Sequence, residues 1–252
     1  MNAARTAAAE SIARLAARPI AHRGLHDAER GIIENMPGAI SAAIAGNYGI
    51  EIDLQISADG EAMVYHDDAL GRLTDGAGRL DTITAEALQR IAFKSTTDRM
   101  LTLGELCDLV AGHATLVIEL KGGFAGDTRL AARTAAVLAG YRGPVAAMSF
   151  DPGLMGALRN HAPALAIGLV GMRRDADAPV PAQMSAMRYL QQALAARPQF
   201  LAYRVADLTS APPLLARHVL RWPVLTWTVR SHADRSRAAS YADQMIFEGF
   251  RP

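Results

Sequence analysis

A chain of 252 residues, half of them hydrophobic and a fifth charged, can bury a large core without disulfides or a structural metal. Its 26 basic and 25 acidic residues balance to +1 with no block of like charge, so a nucleic-acid or membrane-surface role gains little electrostatic support. The lone Cys107 excludes an intrachain disulfide and agrees with a reducing, cytoplasmic compartment. No apolar run approaches the ~20 residues that span a bilayer, so no integral membrane segment is expected.

From Met1 to Arg18, alanines alternate with Arg5, Glu10, Arg14 and Arg18. The stretch lacks the continuous apolar core of a signal peptide and reads as an amphipathic helix closing the floor of the fold. An organelle-targeting helix is the alternative, and Glu10 counts against it. Strand-like apolar stretches then recur at Pro19–Gly24, Gly49–Gln55, Thr115–Lys121 and Pro144–Phe150. Four more follow at Ala164–Val170, Phe200–Val205, Pro223–Val229 and Gln244–Gly249. Continuous apolar runs, rather than strict alternation, predict strands covered on both faces, as parallel sheets require. Between them Met36–Ala45, Thr84–Ile91, Thr102–Ala111 and Asp127–Gly140 have helical spacing. Eight strand–helix repeats predict a single (β/α)₈ TIM barrel over residues 1–252.

One stretch departs from the alternation. Ser57-Ala58-Asp59-Gly60 separates the second strand from Ala62–His66, and an Asp-Gly pair between two strand-like runs predicts a β-hairpin. The connection over residues 56–114 is long, and long barrel loops usually serve an active site. A shorter loop is expected at Arg173–Pro181.

The polar residues inside these strands carry the chemistry. Glu51 and Asp53 lie two apart and share a strand face, as do Glu119 and Lys121. His22 and Arg23 end the first strand, and all six residues are expected at the barrel mouth where strand C-termini converge. Three buried carboxylates raise one another's pKa unless a cation joins them. An all-oxygen trio of Glu51, Asp53 and Glu119 suits a hard ion, Mg²⁺ or Ca²⁺, with Mn²⁺ a further option; zinc is disfavoured without a thiolate. The alternative is a structural ion-pair network with Lys121 and Arg23. Of seven histidines, only His22 and His66 occupy strand ends, where they can form an acid–base pair. His26, His113, His161, His218 and His232 are read as background.

The run His22-Arg23-Gly24, Glu34-Asn35 and Glu51-Ile52-Asp53 resembles the opening of the glycerophosphodiester phosphodiesterase family. The resemblance continues through Ser57-Ala58-Asp59-Gly60, Val64-Tyr65-His66-Asp67 and Arg72-Leu73-Thr74-Asp75-Gly76. Glu119-Leu120-Lys121, Ser149-Phe150 and Trp227-Thr228-Val229 follow in the family's order, so the match covers nearly the whole chain. The resemblance implies a barrel with a divalent ion on Glu51, Asp53 and Glu119. It implies His22 and His66 as catalytic acid and base, Arg23 and Lys121 as phosphate-binding cations, and Trp227 beside the glycerol or headgroup; a core role for Trp227 is the alternative. The substrate it implies is a small glycerophosphodiester, cleaved to glycerol 3-phosphate and an alcohol. Arg72 and Asp75 are read as structural. Glu248 stands where the family has the aspartate of a Thr-Asp pair, Arg230 where it often has asparagine, and Met36 where a small hydroxyl residue is common. Two rival readings are a phospholipase or lyase on the same barrel, and a catalytically silent barrel that binds phosphodiesters. Polar loops at Gly71–Asp81 and Arg173–Pro179 favour a soluble substrate over the first. The presence of every ligand and histidine argues against the second.

Overall fold

Closure of the sheet rests on a very short first strand. In the computed structural model, which describes residues 10–173, 181 and 184–252, β1 (Ile20–Ala21) pairs in parallel with both β2 (Gly49–Ile56) and β9 (Gln244–Phe247). Between them β4 (Leu116–Leu120), β5 (Val145–Ser149), β6 (Ala166–Gly171), β7 (Phe200–Arg204) and β8 (Val224–Val229) pair in parallel, each with the next. β3 (Ala62–Val64) lies antiparallel to the end of β2 as the hairpin. The architecture is a (β/α)₈ TIM barrel; six of the eight barrel strands lie inside the predicted stretches, and β2 and β6 each extend one residue beyond theirs, to Ile56 and Gly171.

Alternation along the strands sorts side chains between two cores. Leu116, Ile118 and Leu120 of β4, for example, pack in the outer layer under the helices. Val117, Ala146, Ala166, Phe200, Leu225 and Ile246 fill the barrel interior. The helical residues 10–15 (α1) close the bottom by placing fully buried Leu15 in that inner cluster. This matches the expected floor-closing helix, whose residues 1–9 lie outside the described ones. At Gly168 an added Cβ would meet the Phe200 ring at 2.3–2.5 Å, so a bare backbone there admits the aromatic ring to the interior.

The helices follow their sequence signals. α2 (Pro37–Ala45) starts with proline in its first turn. α3 (Ala85–Arg90) is capped by the Thr84 hydroxyl, which accepts from the Ala87 N–H. α4 (Leu103–Val110) opens with a Thr102/Glu105 capping box. α5 (Arg129–Leu138), α6 (Pro152–His161), α7 (Ala186–Ala196), α8 (Ala211–His218) and α9 (His232–Tyr241) complete the outer ring. α3 and α4 lie in the long connection after β2, and Tyr65, Leu70, Leu80, Leu88 and Met100 give that insertion its own small core. Most of the loop expected at Arg173–Pro181 lies outside the described residues.

Candidate active site

β1 ends in a sharp turn that aims two functional residues at once. Arg23 and Gly24 take left-handed backbone conformations, with φ 55° and 79°. A Cβ at Gly24 would sit 2.8–2.9 Å from Ala39, so glycine is required for the chain to pass α2. The turn brings the Arg23 backbone N–H to donate to Glu51 Oε2 at 3.0 Å. It also places Arg23 Nε 3.3 Å from Asp53 Oδ2 and lets Nη1 donate to Glu34 Oε1 at 2.7 Å.

The registers of β2 and β4 put Asp53 beside Glu119. Glu51, Asp53 and Glu119 are all buried, and one carboxylate oxygen from each lies within 4.8 Å of the others. Lys121 Nζ reaches Asp53 Oδ1 at 2.8 Å and Glu119 Oε1 at 2.6 Å. Burial works against the charged form of Lys121, but these two carboxylates outweigh it and raise its pKa. Burial likewise works against ionised Asp53, yet Lys121 and Arg23 hold it well below the usual carboxylate range. Glu51 has the opposite balance: burial, Asp53 and Glu119 push its pKa well above the ordinary value. Its Oε1 is buried without any hydrogen-bond partner among the described residues.

That orphaned oxygen discriminates between the two sequence readings. A self-contained ion-pair network would satisfy all three carboxylates, whereas this one leaves Glu51 uncompensated. The donor set therefore fits a hard divalent cation.

The histidines flank the trio in one cavity of about 430 Å³, lined by His22, Arg23, Glu51, His66, Glu119, Lys121, Phe150 and Trp227 among others. His22 Nδ1 lies 2.5 Å from Glu248 Oε2, and its Nε2 is 3.9 Å from Glu51. Burial lowers the His22 pKa, and Glu248 only partly opposes that effect. His66 Nδ1 lies 2.7 Å from Asp67 Oδ1. Arg72 holds Asp67 through Nε at 2.6 Å and Glu34 through Nη2 at 2.7 Å, which explains the arginine of the loop motif. Trp227 packs edge-on to Phe150, with ring centroids 5.6 Å apart, and its indole N–H is buried without a partner among the described residues.

The structure thus gathers all eight residues singled out in the sequence and adds three. Asn35 is fully buried at φ 62°. Its side chain donates to Asp53 Oδ2 at 2.9 Å and accepts from the Asp53 backbone N–H at 3.2 Å. Asparagine combines a tolerance of left-handed backbone with both hydrogen-bonding roles, a signal already present in the Glu34-Asn35 pair. Glu248 joins His22, Arg230 Nε at 2.5 Å and His26 Nε2 at 3.6 Å. His26, read as background, therefore belongs to the rim of the site; its loop position concealed this.

The sequence model of the Glycerophosphoryl diester phosphodiesterase family matches residues 22–248. The chain belongs to this family. Among named relatives, glycerophosphodiester phosphodiesterase 1 of Rattus norvegicus is 34% identical over 114 residues, covering 41% of this chain and 33% of the relative. The glycerophosphodiester phosphodiesterase of Caldanaerobacter subterraneus is 34% identical over 112 residues, covering 41% and 45%. The matched segments thus span less than half of those relatives. Two solved structures share the family fold. A phosphodiesterase from Oleispira antarctica, in complex with the product sn-glycerol-3-phosphate, aligns with TM-score 0.75 at 20% identity, over 93% of this chain and 94% of that one. The glycerophosphodiester phosphodiesterase of Thermotoga maritima aligns with TM-score 0.68 at 19% identity, over 90% and 92%.

Proposed function

We propose that residues 1–252 form a single phosphodiesterase domain that hydrolyses glycerophosphodiesters to glycerol 3-phosphate and an alcohol. The observation that carries this reading is the buried trio Glu51, Asp53 and Glu119, one member lacking a countercharge, of which Glu51 and Glu119 line a cavity with His22, His66, Arg23 and Lys121. A divalent ion, Mg²⁺ or Ca²⁺ with Mn²⁺ as a further option, would be held by these three carboxylates and would supply Lewis-acid stabilisation of negative charge on phosphate. Arg23 and Lys121 bind non-bridging phosphate oxygens and disperse the charge that builds up there.

His22 is the base. Its Nδ1 faces Glu248, which leaves Nε2 free to accept a proton from the nucleophile, and burial favours the neutral ring that a base needs. His66, oriented through Nδ1 by Asp67, returns a proton to the departing alcohol oxygen. The nucleophile is water, which gives glycerol 3-phosphate directly, or the neighbouring glycerol hydroxyl, which expels the alcohol to leave a cyclic phosphate that water then opens to glycerol 3-phosphate. The Trp227 indole N–H, lacking a protein partner, donates to a hydroxyl of the glycerol or headgroup. A panel of glycerophosphodiesters with added Mg²⁺, Ca²⁺ or Mn²⁺, read by coupled detection of glycerol 3-phosphate, tests the reading. Activity that persists after both chelation and His22→Ala would overturn it.

A further inference from the structure

Charge is unevenly spread among the described residues. Among the described residues from Pro152 to Trp222, Asp207 is the one acidic residue, and it is buried and bonded to Arg204. The same side of the barrel exposes Arg188, Arg197 and Arg221, none of which forms an ion pair among the described residues, together with His218.

The apolar residues are segregated too. Met187, Leu190, Leu194, Leu215, Val219 and Leu220 are each more than half exposed, and all belong to α7, α8 or the residues just after α8. Met187, Leu190 and Leu194 follow i, i+3, i+7 spacing and form one stripe. α7 inverts the usual amphipathic order, burying Ala193 and Ala196 while its leucines face outward. Between α7 and α8 lies an apolar groove of about 660 Å³ lined by Leu169, Tyr189, Leu201, Tyr203, Leu215 and Trp222. Exposed apolar area of this extent marks an interaction site.

We propose that the α7–α8 face is a docking surface for an anionic lipid bilayer. Apolar side chains interleaved with arginines that form no ion pair among the described residues match the boundary between acyl chains and negatively charged headgroups. Tyr189 and Trp222, apolar bodies with polar tips, suit the same depth. Charge selects this occupant over a second copy of the chain, because a two-fold contact through this face would set arginine against arginine. Phe150 lines both this groove and the carboxylate cavity, so docking would bring the barrel mouth close to the headgroup layer.

The test is flotation of the full chain with vesicles of phosphatidylcholine alone, or mixed with an equal part of phosphatidylglycerol. Binding to the mixed vesicles is expected, with little to phosphatidylcholine alone and release at high salt. Replacing Arg188, Arg197 and Arg221 by glutamine is expected to weaken partitioning on the order of a hundredfold. Leu190→Glu with Leu194→Glu is expected to abolish it. Near-UV circular dichroism unchanged from the parent shows that these surface variants are folded, whether or not the chain hydrolyses glycerophosphodiesters. Failure of the parent chain to float with anionic vesicles overturns the proposal, as does undiminished flotation of the double leucine variant. A dimer in sedimentation velocity that the leucine substitutions dissociate would assign the face to a second copy and overturn it equally.

Discussion

Replacing Glu51 by glutamine should strengthen the metal-free fold while destroying the site. Three carboxylates face the two cations Lys121 and Arg23, leaving one negative charge over, and Glu51 carries the cost because its Oε1 has no partner among the described residues. Its folded pKa is raised by burial and by Asp53 and Glu119, so the unfolded chain releases this proton first. The penalty is therefore absent in acid, grows as pH rises past the ordinary carboxylate range, and is complete above the folded value. A neutral isostere removes it and stabilises the metal-free protein by about 1–3 kcal/mol at neutral pH. Each kcal/mol moves Tm by about 2–4 °C in a domain of this length, so a rise of roughly 2–12 °C is expected in chelator. The native chain should gain about 2.7 kcal/mol from a divalent ion at a hundred times its Kd, whereas Glu51→Gln should gain nothing. Its activity loss should exceed the roughly 10–100-fold typical of a residue that only supports a ligand. Differential scanning calorimetry with and without Mg²⁺ reads the thermal effects, and coupled glycerol 3-phosphate release reads the activity. A lower Tm for metal-free Glu51→Gln, or a metal-induced shift that survives the substitution, would refute this account.

Asn35→Gly preserves the left-handed backbone but deletes both bonds to Asp53; it should cost about 1–3 kcal/mol and raise the metal concentration needed for half-maximal activity, while Asn35→Ala should lose more stability through its strained φ. Urea titrations beside metal titrations separate the two effects, and equal losses in the pair would rule out a backbone contribution. Glu248→Gln removes a group that favours the His22 imidazolium, so the acid limb of kcat/KM, which follows loss of the neutral base, should move to lower pH. A limb that stays put or moves upward contradicts the assignment of His22 as base. Leu15→Ala, in the barrel floor, should cost about 2–5 kcal/mol yet leave kcat and KM unchanged in the folded fraction, and altered kinetics would show that the floor shapes the mouth.

What the sequence revealed and what it concealed divide along one line. Period-two spacing within a strand states which side chains share a face, so Glu51 with Asp53 and Glu119 with Lys121 are legible from the sequence alone. Barrel topology then carries them to one mouth, because every strand in the ring runs the same way. Contacts between loops have no such period. Asn35 reaches Asp53 only because the turn after β1 and the approach to α2 fold over the end of β2, and His26 reaches Glu248 only because β1 and β9 are neighbours in the closed ring.

The same division accounts for Glu248, which the sequence marked only as a departure from the family's Thr-Asp ending. Its longer side chain spans His22, His26 and Arg230. Burial works against its charge, but those partners outweigh burial and hold its pKa far below the ordinary value. An anion so stabilised fixes the His22 ring from the side away from the carboxylate trio. The two unusual residues, Glu248 and Arg230, therefore form one unit: Arg230 ties down one carboxylate oxygen while the other faces His22. Replacing Glu248 removes the partner of both His22 and Arg230, whereas replacing Arg230 leaves Glu248 on His22 and His26, so Glu248→Gln should lower kcat/KM more than Arg230→Gln does.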